Sequence, residues 1–232
     1  SGKAWAHQTE PIAWGYLGTQ ERMREYEALL NEAKRLADTE LAKKRVGYYE
    51  RDIWAHMVQG RKQFFGHLDT WAAQNDPGSQ GGLGWADPKW ATKDWLPIDL
   101  PSRYDTWVQA YSNADGICWF RRTVTVAPGL VAKPAVLSLG IIDDSDTVWV
   151  NGQRVGDTRG NDRKRVYPIP AGTLKAGANV IAIRVYDAGG HGGFKGEKSE
   201  LWLRPATATN RGGVSLAGPW VHQLGTTNTM GW

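Results

Sequence analysis

The sequence predicts a mainly β protein, an antiparallel jelly-roll β-sandwich preceded by an N-terminal α-helical hairpin. Three observations carry this reading. Apolar residues recur every three or four positions up to residue 74 and alternate after residue 85. The chain of 232 residues holds 28 Gly, many of them between short apolar runs. It also holds 13 Trp, which supply broad, rigid and partly polar surfaces. The organisation that follows is an N-terminal segment (1–18), a helical hairpin (19–74), a linker (75–84), the sandwich (85–225) and a C-terminal tail (226–232).

The first helical run is TQERMREYEALLNEAKRLADTELAKKR, with Thr19 as N-cap and Glu21 in the first turn. Met23, Tyr26, Leu30, Ala33 and Ala37 lie at helical spacing, and Gly47 is expected to break or bend the helix. A second run places Tyr49, Ile53, Met57, Phe64, Leu68 and Trp71 on one stripe. This wide aromatic stripe must pack on the other helix, on the sandwich or on a further region. NDPGSQGGLG, 75–84, reads as the linker.

Period-two runs follow. ICWFRRTVTV places Cys118, Phe120, Val124 and Val126 on one face and Trp119, Arg121, Thr123 and Thr125 on the other. AVLSLGII reads as a strand buried on both faces. TVWVNGQRVGD reads as a hairpin, with Asn151-Gly152 suited to a type I′ turn. NVIAIRVYD sets Ile181, Ile183 and Val185 on one face, and SELWLRP and VSLAGPWVHQLG complete the set.

Composition excludes several function classes. The formal charge is +4 and there is no basic block, which argues against nucleic acid. No membrane span or signal peptide is visible. The single cysteine, Cys118, excludes an intrachain disulfide and sits in an apolar alternating run, as a buried thiol does. Ser1-Gly2 and the ending Met230-Gly231-Trp232 are read as marks of a fragment.

The chemistry-bearing motifs are incomplete. There is no G-x-S-x-G elbow. RGND, 159–162, and DAGGH, 187–191, imitate SGNH-esterase blocks but with one residue missing and one extra, and the alternating βα units such an esterase requires are absent. The histidines, His7, His56, His67, His191 and His222, form no close ligand pair. Asp143, Asp144 and Asp146 could ligate calcium through oxygen, but the EF-hand spacing and its Gly are missing. The expectation is therefore no metal, no cofactor and no catalytic residue in this chain. The DDSD run is read as a structural and contact loop at the entrance of a strand.

Four ordered motifs carry a resemblance: WFRRTVTV, KPAVLSLGIIDDSDTVWVNGQRVGDT, RVYPIPAGTLKAGANVIAIRVYDAGGHGGFKGE and VSLAGPWVHQLG. Together with DPKWATKDWLPIDLP they resemble the β-galactosidase-like jelly-roll domain inserted in bacterial sialate O-acetylesterase-type carbohydrate esterases, over Trp85 to Gly225. The resemblance implies an accessory domain whose catalytic partner is an SGNH-type domain, acting on acetylated xylan-type or sialic-acid glycans. It also implies a bacterial periplasmic or extracellular location.

Sugar recognition needs aromatic faces and planar polar groups. The candidate platforms are Trp85, Trp90, Trp95, Trp107, Tyr111 and Trp119; the candidate polar contacts are Arg121, Arg122, Asp143, Asp144 and Asn151. His191, Phe194 and Lys195, in the Gly-rich loop 187–197, are expected to face a partner cleft. The expected partners are a polysaccharide or oligosaccharide and the SGNH-type domain, with dimerisation through the helices where that domain is absent. The alternative function is a structural insert that shapes the esterase. A further alternative makes the chain part of the active site itself.

Overall fold

The computed structural model describes residues 20–102, 115–131, 133–189, 192–206 and 213–230, with backbone alone for 20–25, 52–58 and 60–62. Thr19, Trp107, Tyr111 and His191 lie outside the described residues, as do the side chains of Met23, Ile53 and Met57.

The helical region differs from the expectation in where it breaks. Helix α1 spans Gln20–Leu36 and α2 spans Glu40–Tyr48. The break is made by Thr39, whose Oγ1 accepts the Ala42 amide at 3.1 Å, a side-chain cap that begins a new helix. Gly47 stays inside α2. It is the last residue but one of that helix, directly ahead of a change in helical form. A π-helical turn, Tyr49–Trp54, leads into α3, Ala55–Asn75. Two helical stretches are thus joined at residues 37–39, and the second is continued through the π turn.

Two antiparallel sheets form the sandwich. The larger has the order β1 (Leu96–Leu100), β11 (Gly218–Thr226), β2 (Gly116–Val126), β7 (Gly177–Asp187), β4 (Ser145–Val150), β5 (Gln153–Arg159). The smaller runs β10 (Val214–Ser215), β9 (Leu201–Pro205), β3 (Ala135–Asp143), β6 (Lys164–Ile169), with β8 (Gly193–Phe194) beside β3. The β2–β7 pairing runs without a shift from Gly116↔Asp187 to Val126↔Gly177. Asn151 and Gly152 have φ of 53° and 81°, as a type I′ hairpin turn requires.

The inner core follows the alternation read from sequence. Cys118, Phe120, Val124 and Val126 of β2 meet Ile181, Ile183 and Val185 of β7 and Leu137, Leu139, Leu201 and Leu203 of the facing sheet. The outer face of the larger sheet is covered as well. Ile117, Trp119, Ala182 and Tyr186 are buried beneath Phe64, Phe65, Leu68 and Ala72 of α3 and beneath Trp85, Ala86 and Trp95. Each large apolar side chain so covered contributes roughly 1.5–3 kcal/mol.

Charge reinforces this docking. Asp69 of α3 bonds Arg154 at 2.6 Å and also pairs with Arg184, which is 4% exposed and lies with its guanidinium 5.6 Å from the Trp149 ring centroid. Burial opposes ionisation of Asp69, but Arg184 and Arg154 outweigh it and hold the carboxyl below its ordinary value.

Within residues 75–84, expected as a linker, Asp76, Gly78 and Gly84 are buried, while positions 75, 77 and 80–83 stay exposed. Asp76 is fully buried, takes the Trp119 indole N–H at 3.0 Å and takes the Ser79 hydroxyl at 2.6 Å. At Gly78 a Cβ would lie 2.4 Å from Trp119 Nε1 and 2.5 Å from Trp85 Cε3. The Gly-rich composition here serves close approach of two indoles.

Candidate functional site

The expected platforms separate into one group that is open and another that is sealed. Trp85, Trp90 and Trp95 line a shallow pocket of about 500 Å³ together with Lys89, Asp94 and Gln223. The ring centroids of Trp85 and Trp95 are 5.2 Å apart at 63°, and those of Trp85 and Trp90 are 6.3 Å apart at 47°. Trp85 and Trp95 form the floor, each 9% exposed, whereas Trp90 stands 47% exposed at the rim.

The pocket is held from beneath by Arg121. Its guanidinium donates to the carbonyls of Trp85, of Asp87 at 2.8 Å and of Trp90 at 3.4 Å, and lies 5.9 Å from the Trp95 ring centroid. Burial pushes this guanidinium down from its ordinary range, with Asp87 opposing. Arg121 is 4% exposed, so the loop's shape is what it controls and direct sugar contact is closed to it. Local turns finish the loop. Asp87 Oδ1 takes the Lys89 amide at 2.8 Å, and the Trp95 amide bonds the Thr92 carbonyl at 3.1 Å.

Trp119 requires a correction. It is 1% exposed, stacked on Trp149 at 5.4 Å and 24° and edged by Trp85 at 6.2 Å. Covered on its faces, it supports the pocket floor and offers no platform. Arg122 is half-buried at the other side of the sheet, where it bonds the Ala217 carbonyl at 3.2 Å and lies 6.0 Å from the Trp220 ring centroid. Asn151 is likewise committed to the fold. Its Nδ2 donates to the Thr173 carbonyl at 2.9 Å and to Asn179 Oδ1 at 2.8 Å, and its Oδ1 takes the Val180 amide at 3.0 Å.

The three aspartates of the DDSD run diverge. Asp146 turns inward to Arg165 at 2.6 Å, both side chains fully buried, and also takes the Tyr167 hydroxyl. Burial raises its carboxyl, against the opposing pull of Arg165 and Tyr167. Asp143 pairs with Lys195 at 2.6 Å. Asp144 accepts the Ala188 amide at 3.0 Å and is pushed up to about 6, first by burial and then by its bond with Asp143. Among the described residues no three acidic, Cys or His side chains are grouped to hold a metal. With Asp146 drawn away to Arg165, calcium at Asp143, Asp144 and Asp146 has no converging donor set.

In the partner loop, Phe194 is 1% exposed and packs edge-on to Phe120 at 5.1 Å, so it belongs to the inner core rather than to a cleft. Lys195 is partly exposed and bound to Asp143. The residues missed from sequence are Lys89, Asp94 and Gln223. The first two carry a visible signal, the close interleaving of charge with Trp in PKWATKDW. Gln223 is found only from the register that pairs it with Trp119.

No family model matches this sequence, and no curated protein matches it. Parts of the chain superpose on β-glucuronidases of known structure. The enzyme of Bacteroides uniformis is 25% identical, with a TM-score of 0.40 over 59% of this chain and 15% of that one. The Bifidobacterium dentium enzyme, complexed with coumarin-3-O-glucuronide, is 22% identical, with a TM-score of 0.40 over 45% of this chain and 17% of that one. The Ruminococcus gnavus enzyme, in complex with uronic isofagomine, is 17% identical, with a TM-score of 0.41 over 51% and 18%. The chain thus spans less than a fifth of each of these proteins. At these TM-scores the likeness carries no argument about activity, and it is a likeness to glycosidases, which lends no support to an O-acetylesterase parent.

Proposed function

We propose that this chain is a non-catalytic domain that binds a carbohydrate and positions it for an enzyme. The observation that carries this is Trp90, 47% exposed, at the rim of a pocket floored by Trp85 and Trp95 and edged by Lys89, Asp94 and Gln223. Indole faces suit the C–H faces of a pyranose ring, and the amide, carboxylate and ammonium groups suit its hydroxyls. Support for the non-catalytic reading comes from the carboxylates: Asp146 is neutralised by Arg165 and Asp143 by Lys195. His222 is 1% exposed and stacked 6.1 Å from Phe120. On this reading, which rests on the sequence resemblance, the parent protein is a bacterial, exported carbohydrate O-acetylesterase, with an SGNH-type domain as partner and acetylated xylan or a sialoglycan as substrate.

The test is calorimetric titration with acetylated xylo-oligosaccharides and with sialosides, run on the wild type and on Trp90→Ala. Saturable heat is expected, weakened roughly fivefold by the substitution, since one lost aromatic contact is worth about 1 kcal/mol. The melting temperature should not move. Absence of heat with both glycans, or heat that Trp90→Ala leaves unchanged, refutes the reading.

A second reading, a brace for a catalytic neighbour, is favoured by the helical arm. Leu29, Leu36 and Leu41 are 69%, 61% and 63% exposed, and Tyr48 and Tyr49 are also exposed. Sedimentation equilibrium tests it: self-association that Leu41→Glu abolishes would support a docking face, and a monomer at all concentrations would count against it.

A further inference from the structure

The outer face of the smaller sheet carries a second concave site. Along β9, Leu201 and Leu203 enter the core, while Trp202 and Arg204 alternate to the other face. The Arg204 guanidinium lies 4.4 Å from the Trp202 ring centroid. Gly213, preceding the edge strand β10, permits this arrangement: a Cβ there would lie 2.6 Å from Arg204 Cγ and 2.5 Å from the Leu203 carbonyl oxygen. Lys198 and Ser199, on the 3-10 turn Lys198–Glu200, also line the groove, and Ser215 lies opposite Trp202 in the β9–β10 register.

The groove is positively charged. Neither Lys198 nor Arg204 has a carboxylate partner among the described residues. The carboxylate of the neighbouring Glu200 is engaged elsewhere, by Lys164 at 2.8 Å and by the Glu197 amide at 3.0 Å. The bonds from Lys164 and Glu197 lower its pKa, so it remains a paired anion at neutral pH. The cavity, about 280 Å³, falls just below the usual size range of small-molecule sites and suits a single sugar residue.

We infer that this groove is an anion-selective glycan subsite that takes a carboxylate-bearing sugar. The guanidinium presents a planar donor fork that matches a carboxylate, with Lys198 as a second charge. Ser199 and Ser215 supply hydroxyls, and the indole of Trp202, with the Arg204 guanidinium over it, holds that fork in place. This site lies on the sheet opposite the Trp90 pocket, shares no residue with it and does not rest on the function proposed for that pocket.

The experiment titrates the whole chain with a hexuronic acid oligomer, with a neutral oligomer of equal length and with inorganic sulfate. The uronate oligomer is expected to bind, more weakly as salt rises. Arg204→Gln should weaken it about tenfold, as loss of a hydrogen bond to a charged group does. Lys198→Gln should weaken it by a smaller factor, and Trp90→Ala should leave it unchanged. Lys198→Gln is a second, independent probe, and thermal melts of each variant report folding. The inference fails if the uronate gives no heat, or if the neutral oligomer or sulfate binds equally well. It fails also if binding survives Arg204→Gln but is lost in Trp90→Ala, which would place the ligand in the first pocket. Failure of the first pocket is read separately, from the neutral and acetylated glycans and Trp90→Ala.

Discussion

Replacing Asp144 with asparagine isolates an electrostatic cost held at the end of β3. The Asp144 carboxyl is partly buried beside Asp143 and Asp187, and its pKa is raised from 3.8 to about 6. An acid with a raised folded-state pKa keeps its proton in the native state while the unfolded chain has released it. The native state then binds more protons than the unfolded state, so stability falls as pH rises from the unfolded value through about 6 and is flat above. A displacement of about two pH units has a ceiling of about 3 kcal/mol. Because the group is half open to solvent, we expect about 1–2 kcal/mol. The asparagine side chain would keep an oxygen for the Ala188 amide, a bond of 3.0 Å in the wild type, but cannot ionise. Urea melts of both proteins from about pH 4 to about pH 8 measure the difference. Asp144→Asn should be more stable by about 1–2 kcal/mol at the upper end, shrinking towards zero at the lower end. A difference that does not change with pH, or a variant less stable at high pH, refutes the argument.

Packing supports three other expectations. Asp69→Ala should leave the guanidinium of Arg184, 4% exposed, without its carboxylate and cost about 2–3 kcal/mol, below the range for fully buried pairs because the Asp69 side chain is 38% exposed. Its depressed pKa contributes stability above the unfolded value that is lost as pH falls through the folded one, so the penalty read by urea melts should vanish in acid. Gly156→Ala places a Cβ 2.1 Å from Tyr167 Cδ1, and Tyr167 is fixed by Asp146 and by Thr158 at 2.9 Å. A loss of about 1–3 kcal/mol in chemical denaturation is expected. Arg121→Lys keeps the charge but loses the fork that gathers the carbonyls of Trp85, Asp87 and Trp90. It should weaken glycan binding in calorimetry with a smaller effect on melting temperature.

The strands, their inner faces and the tight turn at Asn151-Gly152 were legible in the amino-acid order alone. They depend on a period of two and on positive φ at adjacent residues, both local properties. The same order pointed to the Trp-rich entry where Trp85, Trp90 and Trp95 meet. What covers each face was settled by tertiary packing. Trp119 and Arg121 alternate with core residues, as solvent-facing residues do, yet α3 and the 76–95 stretch close over them. The Gly-rich run at 75–84 reads the same whether it bridges through solvent or lets two indoles approach, and the space around Gly78 decides between them. The helix break at Thr39 is made by a side-chain cap, which the apolar spacing does not show. The DDSD run was divided by partners that lie far along the chain: Arg165 for Asp146, Lys195 for Asp143, Ala188 for Asp144. The run crosses from the end of β3 in one sheet to the start of β4 in the other, so neighbours in sequence meet different surroundings, and those surroundings are assembled only when distant strands pair.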